Sequence, residues 1–570
     1  MATGLERRTV LGWAIEPDDR APVRNASEPE AWSFSATAQG GAGFNTTIAS
    51  ALTGAQDYFY VGSILKCVGG TAANVGVDVE VMMFTNGADT LTHTLFPART
   101  EIGDQFVLYK PPDPLAVVTT ADAVAPIQVT ATGRDEADYT PRGGVATDWY
   151  STGDYLVARS GPGLQTQGAT AAVTSFDAAT GAFTQVAGLG DATVLGDLLY
   201  IRRFPKLWGP PTLSWKKEDL EHVTQRVSFS KDQSVAGAKA WTAEVALPLK
   251  ASGTAAGDAT YGVAPPELHL PLRAVFAPTV SRGNTVGAGS TTSIVQVADG
   301  TAAYHPVGTF LLDVGGRAAV VTATAADGVN PDDITVNPAL SVAPVATQIV
   351  YGAYSYEPKT TGHYTMTLDA YVGGVTNVKL YGGMLTSCKI VDFKRNAIPK
   401  IVMGFAGSYF LETPTALPAG LSPTYDTVRP QDAKDCHVIL GASTRLVLKE
   451  ATIDFGLATV AEDAFSLPDA AYGYRIVDMK PTITVSAYWD TATPSNTWAE
   501  VQRYMGSAQT FSLLLQHGKE RGKVVAIYAH KCAWLAADHG VTDGLRTVSF
   551  TAQVLSSDLT LMPDISLGFM

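Results

Sequence analysis

Two stretches of this chain alternate apolar and polar positions in the same way. His363–Phe410 reads HYTMTLDAYVGGVTNVKLYGGMLTSCKIVDFKRNAIPKIVMGFAGSYF, and Gln509–Ser556 reads QTFSLLLQHGKERGKVVAIYAHKCAWLAADHGVTDGLRTVSFTAQVLS. Each runs strand, Gly-bearing turn, strand, a cysteine (Cys388, Cys532), a polar turn and a long alternating strand. Met366 and Leu368 oppose Thr365, Thr367 and Asp369; Phe511, Leu513 and Leu515 alternate with Ser512, Leu514 and Gln516. A period of two predicts half-buried antiparallel strands.

The likeness extends upstream. Leu446–Phe455 and Tyr474–Trp489 read as strands, followed by PSNTWAEVQRYMGS. There, Thr497 and Glu500 form a capping box. Trp498, Val501 and Met505 make one apolar helix face. Ahead of the earlier stretch, Val223–Phe229 and Trp241–Leu249 alternate as strands. APPELHLPLRAVFA then offers Leu268, Leu272, Val275 and Phe276 for a helix face, with Pro271 near its start or at a kink. Each half therefore predicts strand, strand, helix and three strands. The expected fold class is mainly β: a duplicated β-sandwich or barrel with short flanking helices.

Shorter units recur around these halves. Tyr58–Cys67 leads to Ile102–Leu115, Trp149–Gly161 to Leu195–Trp208, and Tyr304–Gly316 to Ala343–Pro358. Each opens on a Gly before an apolar strand and closes on an aromatic-bearing strand, as a small inserted β-barrel module would. The predicted division is an N-terminal arm (1–30), β module(s) over 31–145 with the first repeat at 58–115, and a second small module over 146–209. The first half then spans 210–289 and 359–412, interrupted by a third module at 290–358, and the second half spans 413–570.

Composition bounds the function. A chain of 570 residues is too long for one core. Its 54 glycines and 32 prolines suit many short strands and turns. The net charge of −14 argues against a grip on duplex DNA, which needs a basic footprint, and suits a surface that DNA passes without sticking. The opening MATGLERRTVLGW has no apolar core of signal-peptide length, and no run approaches a membrane span, so no membrane partner is expected. Cys67, Cys388, Cys436 and Cys532 form no CxxC pair and read as reduced thiols of a protein made in the cytoplasm.

No catalytic signature stands out. The chain has no GxSxG elbow, P-loop, HExxH or strand-borne GxGxxG, so the expectation is a non-enzyme with no cofactor and no metal. His530, Asp538, His539 and Asp543 cluster in sequence, but such residues on a polar turn are usually solvated. Asp327–Asp333 is oxygen-rich, yet lacks the spacing and terminal Glu of a calcium loop. Arg202, Arg203, Lys206, Lys216 and Lys217 read as a solvated linker around Pro210 and Pro211.

Over roughly residues 212–557 the chain resembles the major tail tube protein of tailed bacteriophages. The stretches that carry the resemblance are VTQRVSFSKDQSVAGAKAWTAEVALPLKASGTA, HYTMTLDAYVGGVTNVKLYGGMLTSCKI, EATIDFG, YRIVDMKPTITV and LRTVSFTAQV, in that order, and the opening MATGLERRTVLGWAIE is also similar. The three small modules are outside the usual pattern. The resemblance implies a structural virion protein that polymerises into the hollow tail tube delivering DNA to the host. It is made in the host cytoplasm and located in the virion. Alternatives are a tail or baseplate hub, a capsid decoration protein, or a carbohydrate-binding or carbohydrate-active tail protein.

Two tube-like halves in one chain imply trimeric, pseudo-hexameric rings. Further partners implied by the resemblance are tape measure and tail terminator proteins, with double-stranded DNA passing through the lumen. A long loop, Gly456–Gly473, lies where the family's ring-to-ring loop falls. Within it, Phe465 and Leu467 are the expected ring-stacking residues.

Overall fold

The computed structural model describes residues 10–15, 32–41, 45–48, 63–85, 88–109, 115–118, 129–132, 154–160, 170–177, 182–185, 198–220, 235–251, 266–281, 283–298, 301–313, 315–325, 332–373, 376–394, 397–413, 436–441, 444–446, 448–463, 471–489, 509–542, 544–555 and 564–570. Over these residues the chain is mainly β.

Strand β1 (Val10–Ile15), inside the expected arm, pairs not with its neighbours but with residues 366–371, and at Trp13 with Arg203. Six strands then make one sheet: β2 (Trp32–Ser35), β3 (Thr46–Ile48), β4 (Ile64–Gly69), β5 (Asp78–Thr85), β6 (Thr90–His93) and β7 (Gln105–Tyr109), in the order β2-β7-β4-β5-β6-β3. Their inward apolar residues, among them Phe34, Leu65, Val79, Leu91 and Phe106, close a core of their own. Next come β8 (Leu115–Val118), β9 (Val129–Thr132), β10 (Asp154–Ser160), β11 (Thr170–Asp177), β12 (Ala182–Gln185) and β13 (Leu198–Arg203). Strands β8 and β9 fall in the stretch grouped with the first module, but they pair with β13 and β12 of the following one.

Strands β14 (Thr212–Leu220) and β15 (Val235–Pro248) form an antiparallel pair. Residues 212–217 are thus a strand and not a solvated linker; Leu213 and Trp215 alternate with Ser214 and Lys216. Helix α1 (His269–Val275) falls where predicted, but is buried all round instead of on one face, because sheets cover it on several sides. It leads into β16 (Phe276–Val280) and β17 (Asn284–Thr285). Strands β18 (Ile294–Val297), β19 (Phe310–Leu312), β20 (Ala318–Ala325) and β21 (Asp332–Asn337) make a second small sheet, ordered β18-β21-β20-β19. After β22 (Ile349–Val350), β23 (Tyr354–Pro358) returns to pair with β16.

The remaining strands are β24 (Met366–Val372), β25 (Thr376–Lys394), β26 (Lys400–Gly407), β27 (Tyr409–Thr413), β28 (Cys436–Leu440), β29 (Thr444–Leu446), β30 (Leu448–Asp454), β31 (Leu457–Asp463), β32 (Ala471–Met479), β33 (Thr482–Tyr488), β34 (Phe511–His517), β35 (Val525–Thr542), β36 (Leu545–Val554) and β37 (Ile565–Phe569). Strand β25 serves two sheets. Its first part lies between β24 and β27; from Met384 onward it pairs with β26, with a bulge at Leu385/Ser387 inside that pairing. Strand β35 repeats this with β34 and β37, then from Cys532 onward with β36, again with a bulge, at Trp534/Ala536, inside that pairing. A bulge lets a strand bend from one layer into the next. The pairings β14–β15–β26 are matched by β30–β33–β36, and β1–β24 by β28–β34.

One apolar core fills the space between these layers. Trp241, Val245, Leu368, Ile390, Met403 and Phe405 belong to it, as do Ile483, Val485, Leu513, Ile527, Val548 and Phe550. Trp241 lies so close over Gly383 and Gly407 that a Cβ at either would enter its ring, and its indole N–H donates to the Tyr381 carbonyl at 2.9 Å.

The central strands β24 and β34 are not half-buried: nearly every residue of both is buried. Small sheets cover their second faces. Over the first half, Ile64 of β4 packs with Tyr381, Tyr409 and Leu411. Over the second, Phe310, Leu312, Ala318 and Val320 of β19 and β20 pack on Ile439, Leu514, Ala526 and Tyr528. Gln516 ties this contact, accepting from the Ala318 amide at 2.9 Å and donating to the Gly316 carbonyl at 2.6 Å.

Candidate assembly surfaces

The expected stacking loop is largely a β-hairpin. Leu457–Asp463 pairs with Ala471–Met479, because LATVAED, inside the expected loop, alternates as the expected strand YRIVDM does. The hairpin forms a two-stranded sheet of its own. Gly456 makes its pivot, with φ +59, and a Cβ there would run into the Lys480 carbonyl oxygen. The Lys480 amide donates to the Gly456 carbonyl at 3.0 Å, and the Gly456 amide to Asp454 Oδ1 at 2.9 Å. Val460 and Val477 are exposed on the hairpin, and Arg475 faces Glu462 at 3.7 Å. Phe465 and Leu467 lie outside the described residues, between the two strands.

The two halves join edge to edge. On the edge opposite β26, β25 runs antiparallel to β30, with Lys389 opposite Asp454, Ile390 opposite Ile453 and Phe393 opposite Ala451. Lys389 and Asp454 form an ion pair at 2.8 Å, partly exposed and so of small net worth. Ile390, Phe393, Ala451 and Ile453 are fully buried along this seam.

Three buried ion pairs, none foreseen from the sequence, brace the second face of the first half. Lys379 reaches Glu80 at 3.1 Å, and Lys239 meets Asp78. Arg202 donates to Asp369 Oδ2 at 2.8 Å, while Asn377 donates to Oδ1 at 3.0 Å. Burial pushes the Asp369 carboxyl up, but Arg202 and Lys379 beside it bring it below the usual carboxylate range. Each pair is far apart in sequence, so only the sheet pairing brings it together. Asp78 and Glu80 alternate with the core residues Val79 and Val81 of β5, and that is the one signal the sequence carries.

Arg202 and Arg203 are thus buried and not solvated, while Lys216 is exposed on β14. His530 is half-buried, and Asp538 and His539 are exposed farther along β35, where His539 meets the Trp489 ring at 4.8 Å. Asp543 lies outside the described residues. Asp332 is buried and accepts from the Ala302 amide at 2.9 Å. Among the described residues, no group of three or more His, Cys, Asp or Glu side chains is gathered as a metal site would need. Cys67, Cys388 and Cys532 are buried free thiols and Cys436 is half-buried. No described helix is long and apolar enough to cross a membrane.

No protein-family model matches the chain, and no curated protein matches it either.

Proposed function

We propose that this chain is a structural subunit of a phage tail tube, in which trimeric, pseudo-hexameric rings stack into a hollow conduit for DNA. The observation that carries the reading is the repeated strand order: β14–β15–β26–β25 with β24 and β27, then β30–β33–β36–β35 with β34 and β37. Two equivalent units already joined edge to edge supply two ring positions per chain, so three chains fill the six positions that single-unit subunits would fill singly. The hairpin of Leu457–Asp463 with Ala471–Met479, set on the pivot at Gly456, is the arm that reaches the adjacent ring, and Phe465 and Leu467, in the sequence between its strands, are the residues we assign to that contact. The acidic balance of the chain suits a lumen that DNA traverses. Tape measure and tail terminator proteins would be its partners at the tube's interior and end.

Negative-stain microscopy of the purified protein tests this. Hollow filaments built of rings with threefold symmetry are expected. A protein that forms no filament at any concentration, or a ring of six complete chains, overturns the assembly model.

A further inference from the structure

Among the described residues, the two strands of the seam have counterparts in β14 and the far part of β35. In register, the bulge of β25 at Leu385/Ser387 matches that of β35 at Trp534/Ala536, which equates Lys389 with Asp538 and Ile390 with His539. It also equates Cys388 with Ala537 and Gly383 with Cys532, so the two cysteines occupy different places. On the other side, Leu213 opposite Ala243 occupies the place of Ile453 opposite Ile483, because Ala243 faces Phe405 as Ile483 faces Ala552. Ser214 then stands for Asp454, and Trp215 for Phe455.

The counterparts differ in one respect. Strand β25 beyond its bulge is paired on both sides, whereas the described residues beyond the bulge of β35 pair only with β36. Strand β30 is paired on both sides, whereas the described part of β14 pairs only with β15. Long open edges recruit other strands unless they are covered. The side chains here are those of a contact surface. Leu213 and Trp215 are half-buried where Ile453 and Phe455 are fully buried, and Leu535 and Val541 are more than half exposed along β35.

We infer that the outer part of β35 pairs antiparallel with β14 of a second copy of this chain, Asp538 opposite Ser214, repeating the β25–β30 seam between subunits. The occupant is a second copy because its edge is the one the seam already uses, and because the two edges are unlike, so each chain offers one of each. That makes the contact head-to-tail, the kind that closes into a ring or runs on as a filament. Charge agrees: exposed Lys216 falls diagonal to exposed Asp538, within the reach of cross-strand neighbours. The inference rests on the self-assembly proposed above and names the surface that performs it.

The register gives a direct test. The Phe455 amide donates to the Cys388 carbonyl, so Lys389/Asp454 is a non-hydrogen-bonded pair, and Ser214/Asp538 takes the same place. Such pairs hold their Cα atoms about 4.5 Å apart, within reach of a disulfide. Ser214→Cys with Asp538→Cys in one chain, mildly oxidised, should give a reducible ladder of covalent oligomers that ends at three chains. A mixture of the two single variants should give dimers only, and each single variant alone none. Lys389→Cys with Asp454→Cys, the control, should close within one chain without raising its mass. No intermolecular disulfide in the double variant while the control closes overturns the inference. Hollow tubes from that uncross-linked protein would leave the tail-tube reading standing, whereas cross-linked chains that never form tubes would keep the seam and remove that reading.

Discussion

Phe310 is the knob by which the second small sheet holds the second half. It is fully buried, and its ring lies over Gly568 of β37, where any Cβ would collide with it. Ser281 Oγ donates to the Phe310 carbonyl at 2.9 Å, so the backbone on which the knob sits is fixed too. Phe310→Ala should leave a hole lined by Leu514, Ala526, Tyr528 and Met570. Truncations of this kind cost about 3–5 kcal/mol. In a chain with several cores, that loss appears as local opening and not as one global transition. Hydrogen exchange followed by mass spectrometry reads it directly: at one decade per ~1.4 kcal/mol, peptides spanning Phe310–Leu312 and Ile565–Phe569 should exchange roughly 150- to 4,000-fold faster. Peptides of the sheet β2–β7 should not change. Gly568→Leu alone should loosen the same contact by overpacking. Combined with Phe310→Ala it should recover part of the protection, because the new side chain fills the hole from the other side. Exchange within about threefold of the parent protein in Phe310→Ala, or strictly additive effects in the pair, would refute the knob.

Three further outcomes follow from the same geometry. Phe465→Ser with Leu467→Ser should leave the circular dichroism unchanged but stop assembly at single rings, since burying two such side chains contributes roughly 3–6 kcal/mol per contact; tubes of normal length would remove the stacking role. Gly456→Val imposes a left-handed conformation on a β-branched residue and drives its Cβ into the Lys480 carbonyl. It should cost about 1–3 kcal/mol and shorten tubes by mis-aiming the hairpin, with isolated rings still visible by microscopy. Burial pushes the imidazoles of His93 and His305 down to about 4. The unfolded chain therefore binds protons that the folded one refuses as pH falls from about 6.5 to 4, and stability drops by about 3 kcal/mol for each. Burial pushes the Glu357 carboxyl up to about 7. There the folded state keeps a proton the unfolded state has lost, so its contribution is lost as pH rises and partly offsets the histidines. Denaturant titrations at pH 7 and 4 should show a net acid loss that His305→Leu reduces; an undiminished loss in that variant would count against this account.

The alternation that marks strands was readable because a two-residue period survives even where both faces are covered. What could not be read was burial on the second face: Thr367 and Asp369 look like a wet row, yet small sheets from elsewhere in the chain, with Arg202, roof them over. Strand β14 is hidden in the sequence because its lysines and Pro210–Pro211 suggest a linker, while its apolar members, Leu213, Trp215 and Leu220, are only three of nine residues. Gly456–Gly473 reads as a loop because the Ala, Glu and Asp content of Leu457–Asp463 outweighs its alternation, whereas the strand signal of the partner begins only at Tyr474. The seam β25–β30 and the ion pair Lys379–Glu80 join residues dozens to hundreds apart, and nothing local announces them. The pivot Gly456 is one of fifty-four glycines, and neither its positive φ nor the Lys480 carbonyl that crowds it is written in the sequence.

The pairing of Val10–Ile15 with Met366–Tyr371 has a consequence for synthesis. At roughly 5–20 residues per second, the ribosome needs about 20–70 s to deliver the partner of Val10 after Val10 itself. Throughout that interval the sheet β2–β7 can close on its own core while β24 and β25 do not yet exist. Strand β1, whose other pairing is the single register of Trp13 with Arg203 of β13, therefore waits without its main partner, exposed to proteases and to other nascent strands on the same polysome. Removing it should slow the maturation of the first half far more than that of the six-stranded sheet, and pulse-labelling with limited proteolysis would time the two separately.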